Sequence, residues 1–394
     1  MDKKTVLVAF GGASPEHEVS VLTAMQAIAA LEESPWKIEP LYITKSGRWL
    51  TGNHLLDLEQ YQDLKKLENR STPCAFAQNE LGQPVLREVK NGYFSRAKSI
   101  PVFAVLTAFH GASGENGAFQ GVCETFNIPC TGSGVMGSAV GMNKVTAKSV
   151  CKAHKITVVE GVDFYESDWV ANETAIISSV ENLEYPVIVK PVHLGSSIGV
   201  KIVNDQNELK TAIETAFRYD AHLLVEKAIS PLTEINCSIL GTAQENRASV
   251  CERPLGKKEL LSFQDKYERE EGSKGMASAD RVIPADISKD LSAAIQKTSS
   301  DIFRILSCSG LARLDFLVNK NTQEYFFNEI NTIPGSFSFY LWKESGISFR
   351  KLLEELIDIA LQEHQEKNGR ILSYETNLLS KKAVRGIKGL KGVK

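Results

Sequence analysis

Apolar runs separated by glycine-rich loops mark the first third of the chain. Residues 6–10 form one such run, which ends at a Gly-Gly pair, and residues 102–109 form another, which leads into a loop with three glycines. After the first run, Ser14 and Pro15 provide an N-cap and a first helical residue, and apolar positions then recur at helical spacing. Buried strands that alternate with helices predict a parallel sheet. Ligands of such sheets bind beyond the carboxyl ends of the strands, where these glycine loops lie.

The pattern changes twice further along the chain. From about residue 136 a helix and short strands follow one another, and beyond residue 222 paired strands predominate until a final helix near residues 349–364. We therefore expect more than one domain. The expected regions are an N-terminal α/β substrate-binding domain over residues 1–135, a small central domain over residues 136–222, a C-terminal domain over residues 223–370 and a basic tail over residues 371–394. The last fifteen residues carry six Lys or Arg and no acid, which favours a solvated tail over a contact with RNA, lipid or a partner.

Composition excludes several classes of protein. Of 394 residues, 43% are hydrophobic and 24% are charged, as in ordinary soluble domains. The 45 Lys and Arg and the 48 Asp and Glu leave a net charge of -3, so no global field attracts nucleic acid or an anionic membrane. No apolar stretch reaches the roughly 18 residues of a membrane span. Seven scattered cysteines without a Cys-x-x-Cys pair argue against disulfides and zinc and favour a reducing cytoplasm.

The most informative segment is residues 312–331, where two apolar stretches flank a polar turn. Side chains alternate along a strand, so Arg313 and Asp315 share one face of the first stretch, and Glu329 and Asn331 share one face of the second. A hairpin folded about its midpoint sets Asp315 across from Glu329 and Arg313 across from Asn331. The same register sends four side chains towards a core, namely Leu314, Phe316, Phe326 and Ile330.

Two carboxylates and an amide oxygen on one surface form an anionic, oxygen-only site of the kind that Mg²⁺ prefers when it carries a phosphate. The alternative is an exposed hairpin whose arginine and acids pair across the strands. Two acids directly opposite one another destabilise a sheet unless a cation neutralises them, which favours the metal site. The turn that follows ends at Gly335, whose N–H group beside Arg313 could stabilise an oxyanion. A plain structural turn fits this fragment equally well.

A Gly-Ser-Ser-Ile-Gly loop at residues 195–199 has the composition of a polyphosphate-binding loop. It follows a strand that carries Lys190, and it supplies backbone N–H groups together with the hydroxyls of Ser196 and Ser197. An ordinary hairpin turn is the alternative interpretation. Other candidates of the same kind are needed before the loop indicates a nucleotide site.

Two lysines and a strand end supply such candidates. Lys144 and Lys266 are possible phosphate-binding cations, although each of them, taken alone, fits an ordinary surface lysine better. The strand that ends at residues 226–229 offers a backbone edge for adenine, with Glu234 available to a ribose. No P-loop sequence occurs. The Gly-x-Gly-x-x-Gly at residues 132–137 matches a dinucleotide-binding fingerprint, but the acid expected about 20 residues later is missing, which argues against that rival.

Taken together, these residues resemble the D-alanine-D-alanine ligase family of ATP-grasp carboxylate-amine ligases, from Val6 to about Ile359. The matching blocks are residues 11–20, 110–121, 128–135, 142–144, 189–199, 266–267, 313–316 and 328–335. The resemblance implies an α/β, three-domain ATP-grasp fold whose N-terminal domain has a Rossmann-like parallel sheet. It implies ATP-dependent joining of two D-alanines through an acyl phosphate, for peptidoglycan synthesis, by a cytoplasmic enzyme that is commonly a homodimer.

The resemblance also implies a role for each candidate residue. The implied Mg²⁺ ligands, for two ions that Mn²⁺ could replace, are Asp315, Glu329 and Asn331. The implied ATP contacts are Lys144, Lys190 and Lys266 at the phosphates, Glu226, Lys227 and Ile229 at adenine, and Glu234 at the ribose. The implied reaction-centre residues are Arg313 and Gly335 at the oxyanion, Glu16 at the ammonium of the first D-alanine, His110 near that substrate, and a Glu16, Ser196 and Tyr267 relay near the acceptor amine.

This chain departs from the family pattern at one position that bears on the substrate. Tyr340 stands where family members generally have a serine that holds the carboxylate of the acceptor, so the identity of the second substrate is open. Tyr267 favours an amine acceptor, and the charged residues 262–276 around it are a candidate lid. Three hypotheses follow: a ligase of two D-alanines, a ligase with another amine acceptor, and a catalytically silent nucleotide-binding protein, against which the intact hairpin acids argue.

Overall fold

The computed structural model describes residues 3–89, 97–255, 281–371 and residue 373. Within these ranges the chain forms three β-sheets with helices packed against them. The predicted lid at residues 262–276, which contains Lys266 and Tyr267, lies outside the described residues, as does most of the predicted basic tail.

The first sheet has the strand order β6-β5-β4-β3-β2-β1-β7. Its strands are β1 (Thr5–Gly11), β2 (Lys37–Ile43), β3 (Trp49–Thr51), β4 (Thr72–Gln78), β5 (Pro84–Glu88), β6 (Ser99–Pro101) and β7 (Ala104–Thr107). The accompanying helices are α1 (His17–Ala30), α2 (Leu64–Arg70), α3 (Ala112–Glu115) and α4 (Ala118–Thr125). The predicted parallel pairing holds for β2, β1 and β7, whereas β2 to β6 pair antiparallel. Connections such as residues 44–48 and 79–83 are too short for a crossover helix, so they close hairpins instead.

The central sheet is smaller and antiparallel, with the order β10-β9-β11-β8. Its elements, with the two helices that precede them, are α5 (Val135–Met142), α6 (Lys144–Ala153), β8 (Gly161–Tyr165), α7 (Glu166–Glu181), β9 (Val187–Pro191), β10 (Lys201–Val203), α8 (Gln206–Ala216) and β11 (His222–Lys227). Alternate side chains of β9 and β11 pack under α7 and α8, and the others, among them Lys190 and Glu226, face away from that core. Because β11 belongs to this sheet, the chain passes to the next sheet between Lys227 and Leu232.

The third sheet is antiparallel, with the order β14-β13-β12-β15-β16. Its elements are β12 (Leu232–Gly241), β13 (Asn246–Pro254), β14 (Arg281–Val282), α9 (Lys289–Ile305), β15 (Gly310–Asn319) and β16 (Tyr325–Asn331), and they are followed by α10 (Phe339–Glu344) and α11 (Phe349–Asn368). Helix α9 begins at an N-cap serine, Ser288, which accepts a hydrogen bond from the N–H of Leu291 at 3.2 Å.

Helices distant in sequence complete two of the hydrophobic cores. Leu353 and Leu356 of α11 pack in one core with Val6 and Val8 of β1, so the C-terminal helix covers the first sheet. Ala147 and Cys151 of α6 pack in the core of the third sheet. These contacts join the sheets around a shared cleft.

Candidate active site

The cleft between the three sheets gathers eight of the residues that the sequence indicated. Its walls are the loops that follow β1, β7 and β9, the start of α6, and the β15–β16 hairpin with the turn after it. The predicted residues that line it are Glu16, His110, Lys144, Ser196, Arg313, Glu329, Asn331 and Gly335. Residues more than 300 positions apart therefore meet in one cavity.

The register of the β15–β16 hairpin is as predicted at the site. Asp315 lies opposite Glu329, and Arg313 lies opposite Asn331. Arg313 donates two hydrogen bonds to Asp315, each 2.7 Å long, and the side-chain amide of Asn331 donates a third at 3.1 Å. Burial lowers the pKa of Arg313, but the Asp315 carboxylate outweighs that effect and holds the pKa well above its ordinary value. The guanidinium is therefore a permanent cation beside the two acids.

A β-bulge in the same hairpin overturns one prediction. The pairing shifts by one residue beyond Asp315, so Phe316 lies opposite Phe327. Phe327 is fully buried in the core and Phe326 is half-buried, and the expectation that Phe326 faces the core is wrong. The extra residue is Asn328, whose side-chain oxygen accepts a hydrogen bond from Lys190 at 3.1 Å. The sequence did not single out Asn328, because strict alternation sends its side chain the other way.

A buried charge cluster connects α6 with the central sheet. Both oxygens of Glu226 on β11 are engaged, one by Lys148 of α6 and the other by Lys190 of β9 at 2.5 Å. Burial raises the pKa of Glu226, but the two ammonium groups outweigh it and the net shift is downwards. Lys190 thus contacts both Glu226 and Asn328, and its role at the ATP phosphates stays a prediction. Lys148 was missed, although it follows Lys144 by one helical turn on α6.

The other predicted adenine and ribose residues lie near the end of β11 and on β12. The side chain of Lys227 is exposed and pairs with Glu184 at 2.7 Å, while its N–H donates to the carbonyl of Glu160 at 3.1 Å. Ile229 is half-buried in the connection after β11. Glu234 is half-buried on β12, opposite Leu317 of β15.

The glycine loop after β9 faces the loop after β1. Ser196 and Ser197 have φ values of 54° and 58°, a left-handed backbone that costs non-glycine residues about 1 kcal/mol each. This conformation turns Ser196 towards Glu16, to which its hydroxyl donates a hydrogen bond. Lys144 donates to the carbonyl of Leu194 at 2.6 Å and lies 3.2 Å from Glu329. Two members of the predicted relay are therefore in contact, and Tyr267 stays a prediction.

Two buried titratable groups lie at the opposite wall of the cleft. Burial, and then the nearby Arg313, lower the pKa of His110 to about 4, so its imidazole is neutral near pH 7. Burial, and then the charge of Glu16, raise the pKa of Glu115 to about 7. Glu115 accepts hydrogen bonds from the N–H groups of Gly111 at 2.9 Å and Ile333 at 3.2 Å. It was not proposed from the sequence, although it belongs to the matching block at residues 110–121.

Tyr340 lies beside this cleft in a polar cluster of its own. Its hydroxyl donates a hydrogen bond to Glu252 on β13 at 3.2 Å, and the guanidinium of Arg281 stacks over its ring at 3.7 Å. Glu252 also accepts from Asn236 at 3.1 Å, and Asn236 lies opposite Asp315 in the β12–β15 pair. Tyr340 is thus connected to the hairpin acids through a row of polar side chains.

Two family models match the chain, D-ala D-ala ligase N-terminus over residues 5–133 and D-ala D-ala ligase C-terminus over residues 150–358. The D-alanine--D-alanine ligases of Thermosipho melanesiensis and Thermosipho africanus are 37% and 38% identical to it, over 94% and 95% of this chain and 96% and 97% of theirs. The chain belongs to the D-alanine-D-alanine ligase family. This membership confirms the fold class and the class of enzyme, an ATP-dependent ligase, that the sequence predicted.

Solved structures of the family have the same architecture. The D-alanine-D-alanine ligase of Coxiella burnetii has a TM-score of 0.80 at 30% identity and covers 96% of this chain and 100% of its own. The VanG D-Ala:D-Ser ligase of Enterococcus faecalis has a TM-score of 0.76, also at 30% identity, and covers 91% of this chain and 100% of its own. Proteins of similar fold therefore include ligases that are named for different second substrates.

The site has the chemistry that a divalent metal of this ligase family requires. Asp315, Glu329 and Asn331 supply carboxylate and amide oxygens from two adjacent strands, which suits Mg²⁺. Arg313 pairs with Asp315 and Lys144 lies 3.2 Å from Glu329, so cations lie beside both carboxylates, and the fit to the metal rests on the oxygen donor set. In the described part of the chain, no helix is long and apolar enough to cross a membrane.

Proposed function

We propose that this chain joins two D-alanines into D-alanyl-D-alanine with ATP, as a step that supplies peptidoglycan synthesis. The observation that carries the proposal is the pairing of Asp315 with Glu329 and of Arg313 with Asn331 at the mouth of a cleft lined by Lys144. Carboxylate and amide oxygens, a paired guanidinium and a lysine lie close together in this arrangement, which supports the proposal. Such a set is what phosphoryl transfer to a carboxylate followed by attack of an amine requires.

The first step activates the carboxylate of one D-alanine. An amine does not displace oxide from a carboxylate at neutral pH, so the carboxylate oxygen attacks the terminal phosphorus of ATP, ADP leaves, and an acyl phosphate forms. Asp315, Glu329 and Asn331 would hold two Mg²⁺ ions, which supply charge neutralisation for the phosphates when bound. Lys144 and Lys190, with Lys266, bind the phosphates, and the strand end at residues 226–229 with Glu234 binds the nucleoside. Ser196 and Ser197 contribute hydroxyls and N–H groups to the same phosphates.

The second step forms the peptide bond. The deprotonated amine of the acceptor attacks the acyl carbon, and Arg313 with the N–H of Gly335 stabilises the tetrahedral oxyanion before phosphate leaves. Glu16 holds the ammonium of the first D-alanine, and neutral His110 lies beside that substrate. Glu16, Ser196 and Tyr267 relay the proton of the acceptor amine. The contact between Ser196 and Glu16 and the burial of His110 support these assignments.

A second candidate function is ligation of D-alanine to a different amine acceptor. It is favoured by Tyr340, which is 8% exposed and whose hydroxyl is already bonded to Glu252. A phenol held in this way presents a different surface from the serine that the family pattern has there. The acceptor pocket is therefore where this chain and its relatives would differ in substrate.

Phosphate release with purified protein, ATP and Mg²⁺ tests these functions. We expect release with D-alanine alone and D-alanyl-D-alanine as the product in mass spectrometry. Release that requires D-alanine plus another amine from a panel of D-amino acids would support the second function. No release with any amine would contradict both and leave a nucleotide-binding protein. We also propose a homodimer, for which light scattering should give about twice the 43.4 kDa of one chain.

A further inference from the structure

The buried cluster of Lys148, Glu226 and Lys190 holds more positive than negative charge. The side chains are 7%, 2% and 8% exposed, so water screens none of them well. One carboxylate lies between two ammonium groups, and the other contact of Lys190, with Asn328, is to a neutral amide. The cluster therefore carries a net charge of about +1 in a poorly solvated place, which is costly unless an anion lies beside it.

Other acids near the cluster do not cancel this charge. Glu329 is the next acid that raises the pKa of Lys148, and it is matched by Lys144 at 3.2 Å. Burial, and then the repulsion of Lys190, outweigh the attraction of Glu226 and lower the pKa of Lys148 to about 8. Burial is the largest cause of this shift, so the lowered pKa shows how poorly the ammonium group of Lys148 is solvated.

We propose that Lys148 is a positioning residue for nucleotide binding. It neutralises the charge of Glu226 from the α6 side, so the ammonium charge of Lys190 stays unneutralised and attracts the phosphates of ATP. The inference rests on the proposed role of Lys190 as a phosphate ligand. Without Lys148, Glu226 would neutralise Lys190 completely, and the buried cluster would attract the nucleotide much less. Lys148 itself need not touch ATP.

The alternative is that Lys148 contributes only a structural ion pair with Glu226, which holds α6 against β11. An electrostatic role and a structural role make opposite predictions for two variants. Lys148→Met removes both the surplus positive charge and the ion pair. Lys148→Met/Glu226→Gln also lacks the ion pair, but the charge of Lys190 is no longer neutralised, so the net charge of the cluster returns to +1.

Calorimetric titration with MgADP, in the absence of any amino acid, distinguishes the two. We expect Lys148→Met to weaken binding at least about tenfold, which is the effect of losing one unit charge at a distance of several ångström in a partly buried site. The double variant should recover most of that loss, because the strand end at residues 226–229 is proposed to contact adenine through its backbone, which Glu226→Gln leaves intact. Lys148→Arg should bind like the wild type. With saturating ATP, kcat of Lys148→Met should change less than the KM for ATP.

Lys152→Met is the matched control, because Lys152 lies one turn further along α6, is exposed, and lines the same cavity as Lys148 and Glu226. It should bind MgADP like the wild type. Unchanged affinity in Lys148→Met, or a double variant no better than the single one, would overturn the proposal while the wild type still binds. A wild-type chain that binds no MgADP would instead contradict the proposed function. Circular dichroism of each variant checks that the fold is retained.

Discussion

The two hairpin acids offer a matched pair of substitutions, Asp315→Asn and Glu329→Gln, each of which replaces a carboxylate by its amide. Asp315 forms a two-hydrogen-bond pair with Arg313, and the two side chains are 15% and 9% exposed. Asp315→Asn leaves that guanidinium without its charged partner and turns an amide N–H₂ towards it. Loss of one partner from a buried ion pair costs about 3–5 kcal/mol. We therefore expect Asp315→Asn to lower the free energy of unfolding by roughly that amount.

Glu329→Gln should cost far less stability. Glu329 is 19% exposed, and Lys144, at 3.2 Å, keeps its 2.6 Å hydrogen bond to the Leu194 carbonyl when the charge of Glu329 is removed. The substitution also relieves the repulsion between Glu329 and Asp315 directly across the strands. With these effects opposed, the free energy of unfolding should change by about 1 kcal/mol or less.

Urea unfolding without metal or nucleotide, followed by circular dichroism, measures this difference, and phosphate release measures turnover. Both variants should lose turnover, because each lacks one of the two proposed carboxylate ligands of Mg²⁺, while only Asp315→Asn loses much stability. Equal losses of stability in the two variants would refute the reasoning that Asp315 stabilises the fold through Arg313 whereas Glu329 contributes little to stability. Retained turnover in Glu329→Gln would contradict the metal assignment.

Three further outcomes follow from the site. The imidazole signals of His110, whose pKa is about 4, should not shift between pH 6 and 8 in NMR spectra, and a midpoint near 6.5 would contradict its burial beside Arg313. Glu115 has a pKa of about 7, above its ordinary 4.5, so it contributes stability below pH 4.5 that is lost as the pH rises through 7. Glu115→Gln should remove that decline of about 3 kcal/mol from urea titrations at different pH. Tyr340→Ser should change acceptor preference more than ATP affinity; identical acceptor profiles would count against a role for Tyr340.

The pairing of residues across the β15–β16 hairpin was predictable from the sequence at the site, because its geometry depends on local rules. Strand side chains alternate, and a short polar turn fixes which residues of the two arms lie opposite one another. Asp315, Glu329, Arg313 and Asn331 are separated by fewer than 20 positions, so one turn decides all their contacts. Of the predicted residues that line the cleft, Glu16 and His110 were found only through the resemblance to the family.

Contacts between distant elements could not be predicted in this way. Lys148 and Glu226 lie on a helix and a strand that are 78 positions apart, and no periodicity in either element reports the other. The same holds for α11, whose leucines cover the first sheet from the far end of the chain. Such pairs depend on how the sheets pack against one another. A hydrophobic pattern indicates which face of an element is buried, but not which other element covers that face.

The β-bulge at Asn328 shows where a local rule fails and why the failure matters for the site. Alternation from Asn331 backwards assigns Asn328 to the core face and Phe327 to the cleft, and the bulge reverses both. The reversal buries the aromatic ring of Phe327 in the core, and it also lets the amide oxygen of Asn328 accept a hydrogen bond from Lys190. Two neighbouring polar residues, Asn328 and Glu329, can face one ligand only if the strand departs from period two. A polar pair that interrupts an otherwise alternating strand is therefore a sequence signal for a bulge at a binding site.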